Sequence, residues 1–250
     1  MNSSQIEDLS LLSASRVTSA DTDIEGRLRL GSLVNFLIQA AIDSADKLGF
    51  GYGGLRQQKL FWVFSRLTVE IYKPVRWHDT VETETWPKDI DGILYLRDFI
   101  IRDQNKETLA RATSGWLAID IDSKRPRKVD AIHEEMFVQL KNKHALNQSP
   151  EKLTKINGGD SFQINTGFFD MDLNKHVTAT RYIDWMMDSF SLEFHQSKYP
   201  AKLSINFLKE TMLGDKIILK REKVAENEFL FEGFNLTRDA VSYRARINFI

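Results

Sequence analysis

Apolar residues fall at Val34, Leu37, Ile38, Ala41, Ile42 and Ala45, the three-and-four spacing that puts one apolar stripe on an α-helix. The stripe returns at Tyr182, Ile183, Met186, Met187 and Phe190. Elsewhere the period is two. Val241, Tyr243, Ala245, Ile247 and Phe249 alternate with Ser242, Arg244, Arg246 and Asn248, as in a strand with one buried and one wet face. Val81-Glu82-Thr83-Glu84-Thr85 alternates more briefly. These patterns predict two long helices, 33 to about 47 and 177 to about 195, each followed by several strands without further helices between them. Consecutive strands after one helix point to an α+β unit, an antiparallel sheet packed on that helix.

The two units match in order. Setting Asp43-Ser44 on Asp188-Ser189 gives an offset of 145 (188 − 43), at which Leu37 meets Tyr182, Ala41 meets Met186 and Ala45 meets Phe190. Leu67, Val69, Ile71 and Asp79 match Leu203, Ile205, Phe207 and Asp215 at 136 (215 − 79), and Arg102-Asp103 matches Arg238-Asp239 at the same step. The drop of nine (145 − 136) falls after the helix, where the first half has the longer Gly49-Phe50-Gly51-Tyr52-Gly53-Gly54 segment. Between the halves lie Lys141-Asn142-Lys143-His144, Asn147-Gln148-Ser149-Pro150 and Asn157-Gly158-Gly159-Asp160, which is turn chemistry, with a short helix expected over 134–140. The expected organisation is a duplication: an N-terminal repeat over 1–130, a linker over 131–160 and a C-terminal repeat over 161–250.

Composition narrows the chemistry. The chain has 250 residues, 34 Lys+Arg against 35 Asp+Glu, and no cysteine. A net charge of −1 gives no general case for nucleic acid, so any contact with a polyanion must be local. Without Cys there are no disulfides, thiolate metal sites or Cys nucleophiles. His78, His133, His144 and His195 are scattered away from metal-ligand spacing, and Ser114, Ser189 and Ser204 lack a nucleophile-elbow context. No metal and no cofactor is expected. No apolar run approaches the ~20 residues of a membrane span, and 1–15 has no leader pattern, so a soluble cytoplasmic protein is expected.

The polar candidates precede the second helix, in Asp170-Met171-Asp172-Leu173-Asn174-Lys175-His176-Val177. Asp172, Asn174 and His176 stand at i, i+2 and i+4, and in extended chain would share one side at a helix N-terminus, where unpaired N–H groups can stabilise an oxyanion. Residue types alone favour a plain helix cap with a solvated histidine, because N-caps are commonly Asp or Asn.

Asp172-x-Asn174-x-His176-Val177, followed by Tyr182-Ile183 and Trp185, resembles the signature of the acyl-[acyl carrier protein] thioesterases. Trp62-Val63-Phe64-Ser65-Arg66, Val69-Glu70-Ile71, Asp79, Glu82-Thr83-Glu84-Thr85-Trp86-Pro87, Arg111-Ala112-Thr113-Ser114, Trp116 and Arg125-Pro126 also resemble that family, so the likeness runs from about Arg27 to Asp215. The chain departs from plant members at Thr178-Ala179, where they have two Asn, and at Glu210-Thr211, where many members have Glu-Cys.

The resemblance implies a tandem (double) hot-dog fold, two antiparallel sheets each wrapped around a long helix, and hydrolysis of fatty acyl thioesters by water. It implies Glu210 as general base with His176 as the other candidate, Asn174 positioning water or carbonyl, Asp172 orienting both, and N–H groups near Val177 and Thr178 completing the oxyanion site. At the 145 offset the trio falls opposite Arg27, Arg29 and Gly31, so one active site per chain is expected. Ala41 and Ala45 stand opposite the bulkier Met186 and Phe190, which favours the N-terminal half for the acyl tail. The implied partner is acyl carrier protein with a phosphopantetheine-linked fatty acyl chain. It is acidic, and Lys198, Lys202, Lys209, Lys216, Lys220, Arg221 and Lys223, or the 124–128 cluster, offer a basic surface. A homodimer is compatible with the sequence. The readings that compete are an acyl-CoA thioesterase or dehydratase of the same fold, and a non-catalytic acyl-binding protein.

Overall fold

A computed structural model of the chain describes residues 9–250; the first residues of the 1–130 unit and of the 1–15 segment lie outside the described residues. The N-terminal half runs β1 (Leu11–Arg16), α1 (Leu30–Lys47), α2 (Tyr52–Gln57), β2 (Leu60–Ile71), β3 (Thr80–Asp91), β4 (Leu94–Arg102) and β5 (Thr108–Asp120). A connecting segment holds α3 (Ala131–Val138). The C-terminal half repeats the order: β6 (Asp160–Asn165), α4 (Ala179–Asp188), α5 (Leu192–Ser197), β7 (Pro200–Phe207), β8 (Lys216–Ala225), β9 (Glu228–Asn235) and β10 (Ala240–Phe249).

The strand order is β1-β3-β4-β5-β2-β7-β10-β9-β8-β6, and every pairing is antiparallel. The second five strands are the first five in reverse. The two expected sheets are therefore joined edge to edge into one, through β2 and β7. At that seam Thr68 lies opposite Ser204, its equivalent at 136 (204 − 68), with the hydroxyl oxygens 3.3 Å apart. Equivalent positions meeting themselves mark a pseudo-two-fold axis, as in an isologous dimer. Joining the halves there also removes two edge strands.

Of the expected α1 stripe, Val34, Leu37, Ala41 and Ala45 are buried, with Leu33 beside them, while Ile38 is half-buried and Ile42 is exposed. The second helix is shorter than its stripe. Ser189 ends α4 by donating its hydroxyl to Met186 O (2.6 Å), and Ser191 caps α5 by accepting from Phe194 N (3.3 Å). Serine competes with the helical backbone in this way, so a stripe continuous on paper becomes two helices. Near their N-termini α1 and α4 approach at Gly31, where a Cβ would stand 2.4 Å from Asp184 Oδ1. No larger residue fits without displacing that carboxylate, which Arg181 holds at 3.1 Å.

The main core joins both helices to both halves of the sheet. A second apolar cluster is shared by the N-terminal half and the connecting segment: Ala45, Phe50, Leu55, Leu60, Tyr95, Ala118, Val129 and Phe137. Its extra cover comes from the glycine-rich segment with α2, and from α3.

The connecting segment crosses the other face of the sheet and is pinned there by buried polar groups. Asp98 accepts from Ala145 N (2.6 Å) and Thr113 Oγ1 (2.5 Å), and pairs with Lys88 at 3.2 Å. Lys88 also donates to Leu146 O, while Asn206 accepts from Leu153 N (2.8 Å).

Candidate active site

The segment before α4 is not extended. Asp172 Oδ1 accepts from the backbone N–H of Asn174 (2.8 Å) and of His176 (3.1 Å), while Asp172 N donates to His176 O (2.7 Å). Lys175 takes φ = 65°, the left-handed conformation that closes such a turn. Asp172 thus shapes the loop through the main chain rather than by gripping the side chains of Asn174 and His176.

The same loop exists in the first copy. Asp23 Oδ1 accepts from Glu25 N and Arg27 N, both at 2.9 Å, and Gly26 has φ = 69°. Its offset from the second loop is 149 (172 − 23), and the helix starts, Leu30 and Ala179, differ by the same 149. This corrects the 145 read from the helix stripes: Asp172, Asn174 and His176 are equivalent to Asp23, Glu25 and Arg27. The downstream offset of 136 stands, because Arg76 N donates to Asp79 Oδ2 just as Met212 N donates to Asp215 Oδ2, both at 2.8 Å. The intervening insertion in the first copy is therefore thirteen residues (149 − 136), and Glu210 is equivalent to Pro74.

In the first copy the histidine's position holds an arginine engaged on three sides. Arg27 pairs with Asp23 (2.9 Å), donates to His195 O (2.8 Å) and lies over the Tyr199 ring at 5.6 Å. In the second copy Asn174 is exposed, His176 half-buried and Glu210 exposed. Hydrogen bonds tie the two segments that carry them: Val177 N donates to Thr211 O (2.8 Å), and His176 bridges to Met212. Among the described residues, no hydrogen bond or ion pair engages the side chains of Asn174, His176 or Glu210.

Thr211, where many family members have Cys, is fully buried, and its hydroxyl is 2.8 Å from that of Ser242. It tethers the strand end behind Glu210. Tyr182 packs behind the same loop, its ring 4.7 Å from that of Tyr243, and burial pushes its hydroxyl pKa up to about 12.

One expectation needs correcting. Val177 N donates to Thr211 O, and Thr178 N donates to Asp170 O (2.9 Å), so neither is open to substrate. In the first turn of α4, the N–H groups of Ala179 and Thr180 have no partner among the described residues. The sequence could not show this, because which N–H groups are consumed depends on the turn that Asp172 builds.

Ala41 is buried in the main core and Ala45 in the second cluster. Phe50, Trp62, Tyr95 and Phe137 form one aromatic group in that cluster, with ring contacts of 5.0–6.3 Å. Phe64 and Trp116 stack at 4.6 Å against the main core. At the 149 offset Ala41 stands opposite Phe190 and Leu37 opposite Met186, so Ala41 is still the smaller partner. Of the basic stretch, Lys202 pairs with Glu70 (2.9 Å) and Arg221 with Asp160 (2.8 Å), while Lys209, Lys216 and Lys223 are exposed. In the 124–128 cluster, Arg127 pairs with Asp120 (3.0 Å) and Lys128 with Glu134 (3.4 Å).

Two sheet-wrapped helices in one chain, with Asn174, His176 and Glu210 gathered at the second helix start where the first has Glu25, Arg27 and Pro74, define a tandem hot-dog protein with a single candidate site among the described residues. The sequence profile of the acyl-ACP thioesterase N-terminal domain matches residues 12–137, and that of the acyl-ACP thioesterase C-terminal domain matches residues 154–250. The chain belongs to the acyl-ACP thioesterase family. It is 27% identical over 216 residues to oleoyl-acyl carrier protein thioesterase 2, chloroplastic, of Arabidopsis thaliana, which covers 80% of this chain and 59% of that protein. The palmitoyl-acyl carrier protein thioesterase, chloroplastic, of the same plant is 28% identical over 195 residues, covering 72% and 47%. The chain thus spans about half the length of these relatives. Its fold is that of an acyl-ACP thioesterase from Bacteroides thetaiotaomicron, with a TM-score of 0.85, 24% identity, and 98% of this chain and 99% of that one covered. The 12:0-ACP thioesterase from Umbellularia californica superposes with a TM-score of 0.84 at 19% identity, covering 97% of each chain.

Proposed function

We propose that this chain hydrolyses fatty acyl-[acyl carrier protein] thioesters to free fatty acid and carrier protein, by attack of water. The observation that carries this reading is the asymmetry of the two copies. The second offers Asn174, His176 and Glu210 with unengaged side chains on two tied segments, where the first has Glu25, an immobilised Arg27 and Pro74. With no thiol in the chain, the nucleophile is water. Glu210 is the general base, and His176 is the alternative. Asn174 positions the water or the carbonyl, and Asp172 fixes the loop that presents both. The negative charge developing on the carbonyl oxygen is met by the Ala179 and Thr180 N–H groups at the positive end of α4. No metal or cofactor is assigned a part. The test is assay of the single-site variants described in the Discussion.

The acyl tail is assigned to the N-terminal half. Arg27 reaches from the first copy across to His195 and Tyr199 of the second. By the pseudo-two-fold relation its equivalent, His176, would face the end of α1 and the start of β2. Ala41, Ala45 and the second apolar cluster lie on that side. Ala41→Met and Ala45→Phe are expected to shift preference towards shorter acyl chains without abolishing hydrolysis of a short substrate. A chain-length series with each variant, folding verified by circular dichroism, checks this. Unchanged preference in both would put the tail elsewhere.

The partner is acyl carrier protein, with its acyl group on phosphopantetheine, meeting the enzyme in the cytoplasm. Lys209 and Lys216 flank Glu210 in sequence and are exposed. Lys209→Glu and Lys216→Glu are expected to raise KM for the carrier-linked substrate, steeply dependent on salt, and to leave a small soluble thioester unaffected. Equal effects on both substrates would remove these lysines from the docking surface. A homodimer remains part of this proposal, to be read from the sedimentation of the purified chain.

A further inference from the structure

The sheet has a hollow on the face turned away from the helices. It lies at the β2–β7 seam, beneath the connecting segment, and encloses about 600 Å³. Thr68 and Ser204 lie at its floor on the pseudo-two-fold axis, and residues 145–149 line its other side. Register fixes what stands across it. One row of cross-strand neighbours runs Arg111 on β5, Glu70 on β2, Lys202 on β7, Asn248 on β10 and Glu228 on β9. Such a row is polar throughout and offers nothing to a hydrocarbon tail.

The charges in this hollow are unequally satisfied. Glu70 pairs with Lys202 at 2.9 Å. Arg246 forms ion pairs with Glu228 at 3.0 Å and Glu151 at 3.3 Å, although its Nε is buried without a hydrogen bond. Arg111 is half-buried and forms no ion pair among the described residues. Its only hydrogen bond runs from Nη1 to Ala145 O, at a long 3.4 Å, and its Nε is buried with no partner. The buried Nε is closed to the hollow, but Nη2 is neither buried nor engaged by any hydrogen bond among the described residues, and a carboxylate or phosphate oxygen is the partner whose geometry fits the Nη edge of a guanidinium. The volume is that of an ordinary small-molecule site.

We propose that this hollow binds a small hydroxylated organic anion. Its carboxylate or phosphate meets Arg111, and its hydroxyl groups meet Thr68, Ser204 and the amide of Asn147. Because both halves and the connecting segment line the hollow, the anion would hold that segment against the seam. The site is separate from Asn174, His176 and Glu210, so the proposal stands or falls independently of the hydrolase reading.

The test is isothermal titration calorimetry of the whole chain, at constant ionic strength, with citrate, glycerol 3-phosphate and inorganic phosphate as probes. Saturable one-to-one binding is expected for citrate or glycerol 3-phosphate, and the tighter of the two identifies the anionic group as carboxylate or phosphate. Arg111→Gln should weaken it at least about tenfold, the loss of one charge-assisted contact. Ser149→Tyr, at an exposed position on the connecting segment, should block the hollow and abolish binding. Thioester turnover should be unchanged in both variants. Absence of saturable binding by either organic anion would overturn the proposal, as would binding that both folded variants retain, or binding of inorganic phosphate as tight as that of either probe.

Discussion

Glu210→Gln is expected to lower turnover of a fatty acyl-carrier thioester by about 10²–10⁴-fold, the usual contribution of a general base. The substitution is close to isosteric at an exposed side chain, so folding stability should change little. Asn174→Ala and His176→Ala should each cost a comparable factor, since positioning and proton transfer act on the same water. The three losses should not multiply in a combined variant, because groups acting on one step are not additive. Steady-state assay of free acid, with KM and kcat separated, reads all of this. Near-full activity in Glu210→Gln with a severe loss in His176→Ala would transfer the base role to the histidine. Asp172→Ala should act differently. It removes the acceptor for two backbone N–H groups, so it should loosen the loop and raise KM as well as lower kcat.

The largest expected effect on stability lies far from that site. Asp98→Ala would leave the Lys88 ammonium, whose side chain is 4% exposed, without its counter-charge, and Ala145 N and Thr113 Oγ1 without their acceptor. Breaking a buried pair from one side typically costs about 3–5 kcal/mol. Urea denaturation should show a correspondingly lower midpoint with little change in slope, and the connecting segment should become the first site of proteolysis. Lys88→Met in the same chain should recover part of the loss, because no uncompensated charge then remains buried. A double variant no more stable than Asp98→Ala would show that the backbone contacts of Asp98, rather than its charge partner, hold the segment.

Much of this was legible in the residue pattern, and the places where it misled share a physical cause. The apolar stripes of α1 and α4 and the alternation along β10 lay open to reading because burial imposes one period per element. The offset between the copies did not. A shift of four residues, the difference between 149 and 145, is about one helical turn and carries an apolar stripe onto itself. The stripes therefore matched equally well one turn out of register. Only the loops resolve it, through the paired Asp23 and Asp172 turns and their left-handed Gly26 and Lys175. The error moved the equivalents of Asn174 and His176 from Glu25 and Arg27 to Arg29 and Gly31.

The break at Ser189 and Ser191 was hidden for a related reason. Phe190 continues the stripe in sequence and packs in the core, although the backbone beneath it has left the helix. The joining of the two sheets was invisible as well, since Thr68 and Ser204 give no sign in sequence that they face each other. The candidate site was the converse. Its residue types were evident before any fold was known, whereas the partners of the Val177 and Thr178 N–H groups emerged only with the tertiary contacts.

The most direct test of the account is release of free fatty acid by the purified chain, from acyl carrier protein and from CoA carrying the same acyl group. The account predicts hydrolysis of the carrier-linked thioester, at a higher kcat/KM than the CoA thioester and without added metal. No release above the uncatalysed rate from the carrier-linked thioester, or a kcat/KM that favours CoA, would contradict it.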